Sequence, residues 1–127
     1  MIILDSKDRR PLYEQIEEKL SILIMKGVLA EDEQLPSVRA LASNLSINPN
    51  TVQRAYNELE SKGLIYSAVG RGNFVSSAKV ARELERQEVL KQLGALVVRA
   101  KNADMPKEEL TEFVNSSYGE AQESDRS

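Results

Sequence analysis

Residues 47–63 read INPNTVQRAYNELESKG, and the stretch divides into two faces. Val52, Ala55, Tyr56 and Leu59 recur at spacings of three and four, the period of an α-helix laid against a core. Asn50, Thr51, Gln53 and Arg54 fall off that stripe. Asn48 ahead of Pro49 supplies a capping side chain followed by a proline at the first helical position, and Lys62-Gly63 supplies a cation in the last turn with a glycine just beyond. The pattern predicts a helix from Pro49 whose first turn is polar on its outer side.

Working outward, SVRALASNL precedes this helix, with Ser37 placed to cap a short helix in which Val38, Leu41, Ala42 and Leu45 point one way. Only the tight link SIN separates the two. Further upstream, PLYEQIEEKLSILIMKG carries Leu12, Ile16, Leu20, Leu23 and Ile24 on one stripe, between Pro11 in a first turn and Gly27 at a stop. VLAEDEQLP reads as a loop ending at Pro36. Downstream, LIYSAV and NFVSS are β-prone runs about a GRG turn, which predicts a short hairpin. Helix, short helix, tight link, helix and hairpin is the order of a winged helix-turn-helix.

Beyond Ser77 the composition shifts. Residues 79–102 contain no proline and place Leu90, Leu93, Val97 and Ala100 in a three-four-three rhythm, with Val89 and Leu96 beside it. Asp104 is placed to cap a last helix starting at Pro106, with Leu110, Phe113 and Val114 apolar and Tyr118 near its end. The expected fold class is therefore mainly α with a small β-hairpin. A winged helix-turn-helix over residues 1–77 is followed by a two-helix C-terminal dimerisation segment over 78–118 and a solvated, disordered tail over 119–127.

Composition bounds the chemistry. The 127 residues are 41% hydrophobic, enough for one compact core or a small domain with an appendage. No uninterrupted apolar run approaches the roughly 20 residues of a membrane helix, and Asp5 and Lys7 arrive before any signal-like apolar region, so a cytoplasmic protein without membrane contact is expected. Cysteine and histidine are both absent. That removes disulfides, thiolate metal sites, the commonest transition-metal ligand and the side chain best suited to proton transfer near neutral pH. Glu83, Glu85, Glu88, Glu108, Glu109 and Glu112 read as solvated helix faces, and no partnered nucleophile or phosphate loop accompanies them. GRG at 70–72 lacks the later glycine and the following helix of a dinucleotide fingerprint. No catalytic residue, metal or cofactor is expected, and no enzyme.

The net charge of −3 speaks against a polyanionic partner, but its distribution does not. Between residues 34 and 57 the only charged side chains are Arg39 and Arg54, whereas the acids gather at Glu14, Glu17 and Glu18, at 31–33 and in the C-terminal third. Phosphate contact is a local matter. The major groove of DNA, about 12 Å wide, admits one helix and favours short polar side chains at its leading end. Asparagine and glutamine pair bidentately with adenine, arginine with guanine, and threonine reaches a phosphate or a thymine methyl. Each feature has a plainer explanation: a polar helix start is commonly only a cap, Arg39 a solvated cation, and GRG a hairpin turn. Their joint placement, with Arg39 on the bracing helix, the polar set on the next and Arg71 at the wing tip, favours a DNA-facing surface.

These residues resemble the winged-helix domain of the GntR family of bacterial transcription regulators. The matching run is QLPSVRALASNLSINPNTVQRAYNELESKGLIYSAVGRGNFV, with PLYEQI upstream. LPSVR-x-LA, NPNTV-x-RAY-x-ELE-x-KG and GRG-x-FV occur in order and at the family's spacing, and the short two-helix C-terminal part resembles the YtrA-like subfamily. Carried over by position, the resemblance implies DNA contacts from Ser37 and Arg39 on the second helix. It implies further contacts from Asn48, Asn50, Thr51, Gln53 and Arg54 on the reading helix, and from Gly70, Arg71 and Gly72 in a wing that approaches the minor groove. Pro49 stands where some relatives have a basic residue. The resemblance further implies a homodimer repressing an operon, often one that encodes an ABC transporter. One winged domain offers few base contacts, so two copies about a twofold axis are expected to read a palindromic double-stranded DNA operator. YtrA-like members lack the large ligand-binding domains of other GntR proteins, and no pocket signature in the sequence identifies a small-molecule effector.

Leu90, Leu93, Leu96, Val97 and Phe113 are the candidate dimer surface, because an exposed apolar stripe of that length is hard to leave in water. The competing arrangement is a two-helix hairpin folded back on the winged domain. The competing function is a winged-helix protein-interaction module that binds no DNA, consistent with the acidic total.

Overall fold

The structure, a computed structural model, describes residues 2–126, with side chains described as far as residue 119. The elements are α1 (Leu12–Met25), α2 (Val38–Leu45), α3 (Pro49–Ser61), β1 (Ile65–Ala68), β2 (Gly72–Val75), α4 (Ala78–Asn102) and α5 (Lys107–Arg126). They fall into two compact units, Met1–Arg86 and Gln87–Ser127. The expected order of a winged helix-turn-helix followed by two helices is the order observed.

The first unit is built around α3. Val52, Ala55, Tyr56 and Leu59 are all buried, meeting Ile16, Leu20 and Ile24 of α1, Leu41 and Ala42 of α2, and Ile65 and Val75 of the hairpin. A fully buried aliphatic side chain of this kind contributes about 1.5–3 kcal/mol. Two polar ties fix the helix more narrowly than apolar contact does. The Tyr56 hydroxyl donates to the Pro36 carbonyl at 2.7 Å, holding α3 to the entry of α2, and burial pushes its pKa up to about 12. Lys62 pairs with the largely buried Glu17 of α1, which raises the pKa of the lysine.

The corner between α2 and α3 is closed by local hydrogen bonds. Ser37 accepts from the Ala40 amide at 3.1 Å to start α2, and Ser46 ends that helix in the left-handed region at φ 57°. The Ile47 amide then bonds back to the Ala42 carbonyl at 3.0 Å, satisfying a helix-end carbonyl. Asn48 starts α3 by accepting from the Asn50 amide at 2.8 Å, with Pro49 at the first helical position. Loss of such a cap costs about 0.5–2 kcal/mol.

The hairpin pairs Ile65 with Val75, Tyr66 with Phe74, Ser67 with Asn73 and Ala68 with Gly72. Its outer edge is occupied. The Asp32 amide donates to the Val75 carbonyl at 2.8 Å, the Val75 amide to the Glu33 carbonyl at 2.9 Å, and the Leu35 amide to the Asn73 carbonyl at 2.9 Å, with Gln34 bridging Phe74. The segment expected as a plain loop before Pro36 therefore lies along β2, meeting it in one isolated bridge, and its backbone polar groups find partners there.

The first turns of α4 belong to this unit as well. Ala81 is fully buried, and the Arg82 guanidinium donates to the Met25 carbonyl at the end of α1 at 2.9 Å. The division between the two compact units thus falls inside α4, after Arg86.

The second unit holds the rest of α4 and α5. Asp104 does not cap α5: it adopts φ 56°, and the Met105 amide bonds back to the Ala100 carbonyl at 3.0 Å, so the residue closes α4 instead. Aspartate is among the few residues that tolerate this left-handed conformation. Where a solvated, disordered tail is expected over 119–127, α5 continues to Arg126, and the side chains beyond residue 119 lie outside the described residues.

Candidate nucleic-acid interface

The apolar anchoring of α3 decides which of its side chains face solvent. With Val52, Ala55, Tyr56 and Leu59 turned inward, Asn48, Asn50, Gln53 and Arg54 are exposed and Thr51 is half-buried. The expected polar rim therefore stands at the leading end of the helix. Two of its members are partly engaged: Asn48 spends its carbonyl oxygen on the cap, and the Gln53 amide donates to Asn57 one turn along at 2.9 Å.

Arg54 does not project alone. Its guanidinium carbon lies 3.8 Å from the centroid of the Tyr13 ring, and Nη2 donates to the Tyr13 hydroxyl at 3.2 Å. That hydroxyl in turn donates to Glu14 at 3.3 Å, so a carboxylate stands one hydroxyl away from the guanidinium without pairing to it directly. Asn50, Thr51 and Arg54 share a shallow open hollow with Pro11, Leu12 and Tyr13. The start of α1 and the start of α3 thus make one surface.

Among the described residues no hydrogen bond joins the other predicted positions to this group. Arg39 is exposed one residue into α2, and Ser37 is turned to its cap. Arg71 is exposed in the three-residue turn between β1 and β2, where its amide donates to the Ala68 carbonyl at 2.9 Å. Gly70 adopts φ 73° and Gly72 φ 111°, and a Cβ at Gly72 would approach the Gln34 amide nitrogen to 3.0 Å. Gly72 is required there because a side chain would both strain the backbone and displace Gln34. Gln34 braces the turn by donating to the Arg71 carbonyl at 2.7 Å. Among the described residues no hydrogen bond or ion pair joins Arg39 or Arg71 to a carboxylate.

Sequence reasoning passed over Tyr13 and Gln34. Tyr13 sits 41 residues from Arg54, so no helical period connects them. The available signal was an aromatic residue two places after Pro11, next to the apolar stripe but not on it. Gln34 lies in a stretch whose acidic neighbours suggested a loop.

Two helices joined by a tight corner, with a polar leading edge and a glycine-lined wing, define the winged helix-turn-helix class of regulatory proteins. The model of the bacterial regulatory proteins of the gntR family matches residues 12–75. The chain is 39% identical to the HTH-type transcriptional repressor YtrA of Bacillus subtilis (strain 168), over 90% of this chain and 89% of that protein. A GntR family transcriptional regulator from Listeria monocytogenes superposes with a TM-score of 0.68 at 30% identity, covering 87% of this chain and 97% of that one. The DNA-binding domain of AraR, solved in complex with operator ORX1, superposes with a TM-score of 0.53 at 28% identity, covering 60% of this chain and 95% of that one. The chain belongs to the GntR family, with a YtrA-like relative matched over most of its length. Its family and relatives are transcriptional regulators and not enzymes.

Proposed function

We propose that this chain is a cytoplasmic, homodimeric repressor that binds a palindromic DNA operator, with α3 in the major groove and the turn at 69–71 against the minor groove. The observation that carries the reading is the division of α3 by face: Asn50, Gln53 and Arg54 are exposed at its leading end, while Val52, Ala55, Tyr56 and Leu59 anchor its back. In a helix-turn-helix this end meets base edges. Arg54 is the candidate for bidentate contact with guanine, Asn50 and Gln53 for adenine, and Arg39 and Arg71 for the flanking backbone.

A second copy is expected because one winged domain offers few base contacts, whereas two related by a twofold axis read half-sites about 10 bp apart. The surface for it is in the second unit, where Leu90 is 68% exposed and Phe113 72%, with Leu93, Leu96 and Val97 exposed beside them. The YtrA-like resemblance points to an operon, often one of ABC transporter genes.

The test is selection of duplexes from a randomised DNA library by the intact chain, followed by gel shift of the selected duplex against a scrambled competitor. Enrichment of an inverted repeat that the scrambled duplex fails to displace supports the reading. Equal displacement by both overturns it and favours a protein-interaction module.

A further inference from the structure

We infer that Tyr13 is a specificity-determining positioning residue: by stacking on Arg54 it holds the guanidinium in the orientation from which a base is read. The inference rests on the DNA-binding reading and adds to it a residue outside the helix-turn-helix. Arginine is long and rotamer-rich, and an arginine waving in solvent must be ordered when it docks. Here the ordering is done beforehand. The ring face lies at van der Waals distance from the guanidinium, 3.8 Å from its carbon to the centroid, and the hydroxyl accepts one Nη2 hydrogen at 3.2 Å. Tyr13 is itself half-buried at the start of α1, whose next turn places Ile16 in the core.

The ring contact and the hydroxyl bond together engage one of the five N–H bonds of the guanidinium. The remaining edge stays available for a bidentate pair with guanine O6 and N7. The hydroxyl also donates to Glu14 at 3.3 Å, leaving it an acceptor toward Arg54. A cation–π contact needs the ring alone, so the two contributions of Tyr13 separate chemically. Tyr13→Phe keeps the ring and removes the hydroxyl; Tyr13→Leu removes both and retains an apolar group against α1.

The experiment measures Kd of the full chain on the duplex selected from the random library and on its single-base variants. The chains compared are wild type, Arg54→Ala, Tyr13→Leu, Tyr13→Phe and the Arg54→Ala/Tyr13→Leu double variant. Arg54→Ala should flatten discrimination at one base pair of each half-site, by about tenfold or more. Tyr13→Leu should flatten discrimination at that same pair and at no other, Tyr13→Phe should retain most of it, and the double variant should discriminate no worse than Arg54→Ala. If Tyr13→Leu weakens every duplex equally and leaves the preference intact, Tyr13 is structural or a phosphate contact and the inference is overturned while the DNA reading survives. If Arg54→Ala changes no preference, or no duplex is enriched, base reading by Arg54 and the role of Tyr13 fall together. Circular dichroism of Tyr13→Leu matching the wild type excludes misfolding as the source of a loss.

Discussion

Leu59 and Leu93 are the same residue on two helices of one chain, and they meet opposite surroundings. Leu59 on α3 is fully buried among side chains of other elements, whereas Leu93 on α4 is 46% exposed. The contrast extends to their neighbourhoods: Val52, Ala55 and Tyr56 accompany Leu59 inward, while Leu90, Leu96, Val97 and Phe113 accompany Leu93 in exposure. The winged unit buries the whole apolar stripe of α3. The second unit leaves its stripe exposed, and under the proposed function another copy of the chain covers it.

The largest expected effect separates these two directly. Leu59→Ala should destabilise the winged unit by about 2–5 kcal/mol in urea unfolding, through lost burial and the cavity left behind, and to the same extent at every protein concentration. Leu93→Asp should leave the winged unit's own unfolding little changed and weaken self-association by at least about tenfold, read by analytical ultracentrifugation, since an unpaired carboxylate in an apolar interface costs more than an exposed one. A dimer that persists in Leu93→Asp breaks the comparison.

A smaller pair sharpens the division within the winged unit. Arg54→Ala should cost about 1–3 kcal/mol on the preferred duplex and relax preference at one position, whereas Arg71→Ala should weaken all duplexes more evenly. Competition binding against single-base variants tells the two patterns apart.

The smallest effect concerns the tie that sets the angle of α3. Tyr56 donates to the Pro36 carbonyl and its pKa in the folded chain is about 12, above the ordinary 10.0. Between those values the folded chain keeps a proton that the unfolded chain gives up, so stability falls as pH rises from about 10 to about 12, by up to about 1.4 kcal/mol per pH unit. Tyr56→Phe should cost about 0.5–1.5 kcal/mol at neutral pH and flatten that alkaline decline in pH-dependent thermal melts. An unchanged decline would assign it to other groups.

What could be read from the sequence was what repeats locally. The stripe of α3, the Asn48-Pro49 start and the hairpin are all set by residues within a few positions of one another, and the structure has them where periodicity and capping chemistry put them. The pairing of residues 32–35 along β2 was hidden because backbone hydrogen bonds hold it, and backbone leaves no pattern in side-chain type. Residue preference misled at Asp104, since aspartate suits both a helix start and a left-handed turn and only the fold chooses between them. Of the candidate site, the exposed rim followed from the buried stripe, but the partner of Arg54 did not, because Tyr13 reaches it only after α1 and α3 have packed.

The measurement closest to the central claim is affinity of the intact chain for its selected duplex across a salt series. DNA binding through this surface predicts a straight fall of log K against log salt, with a slope of about −0.9 for each phosphate neutralised, and a slope shallower by about one in Arg71→Ala. A flat line, in the wild type as in the variant, would contradict it.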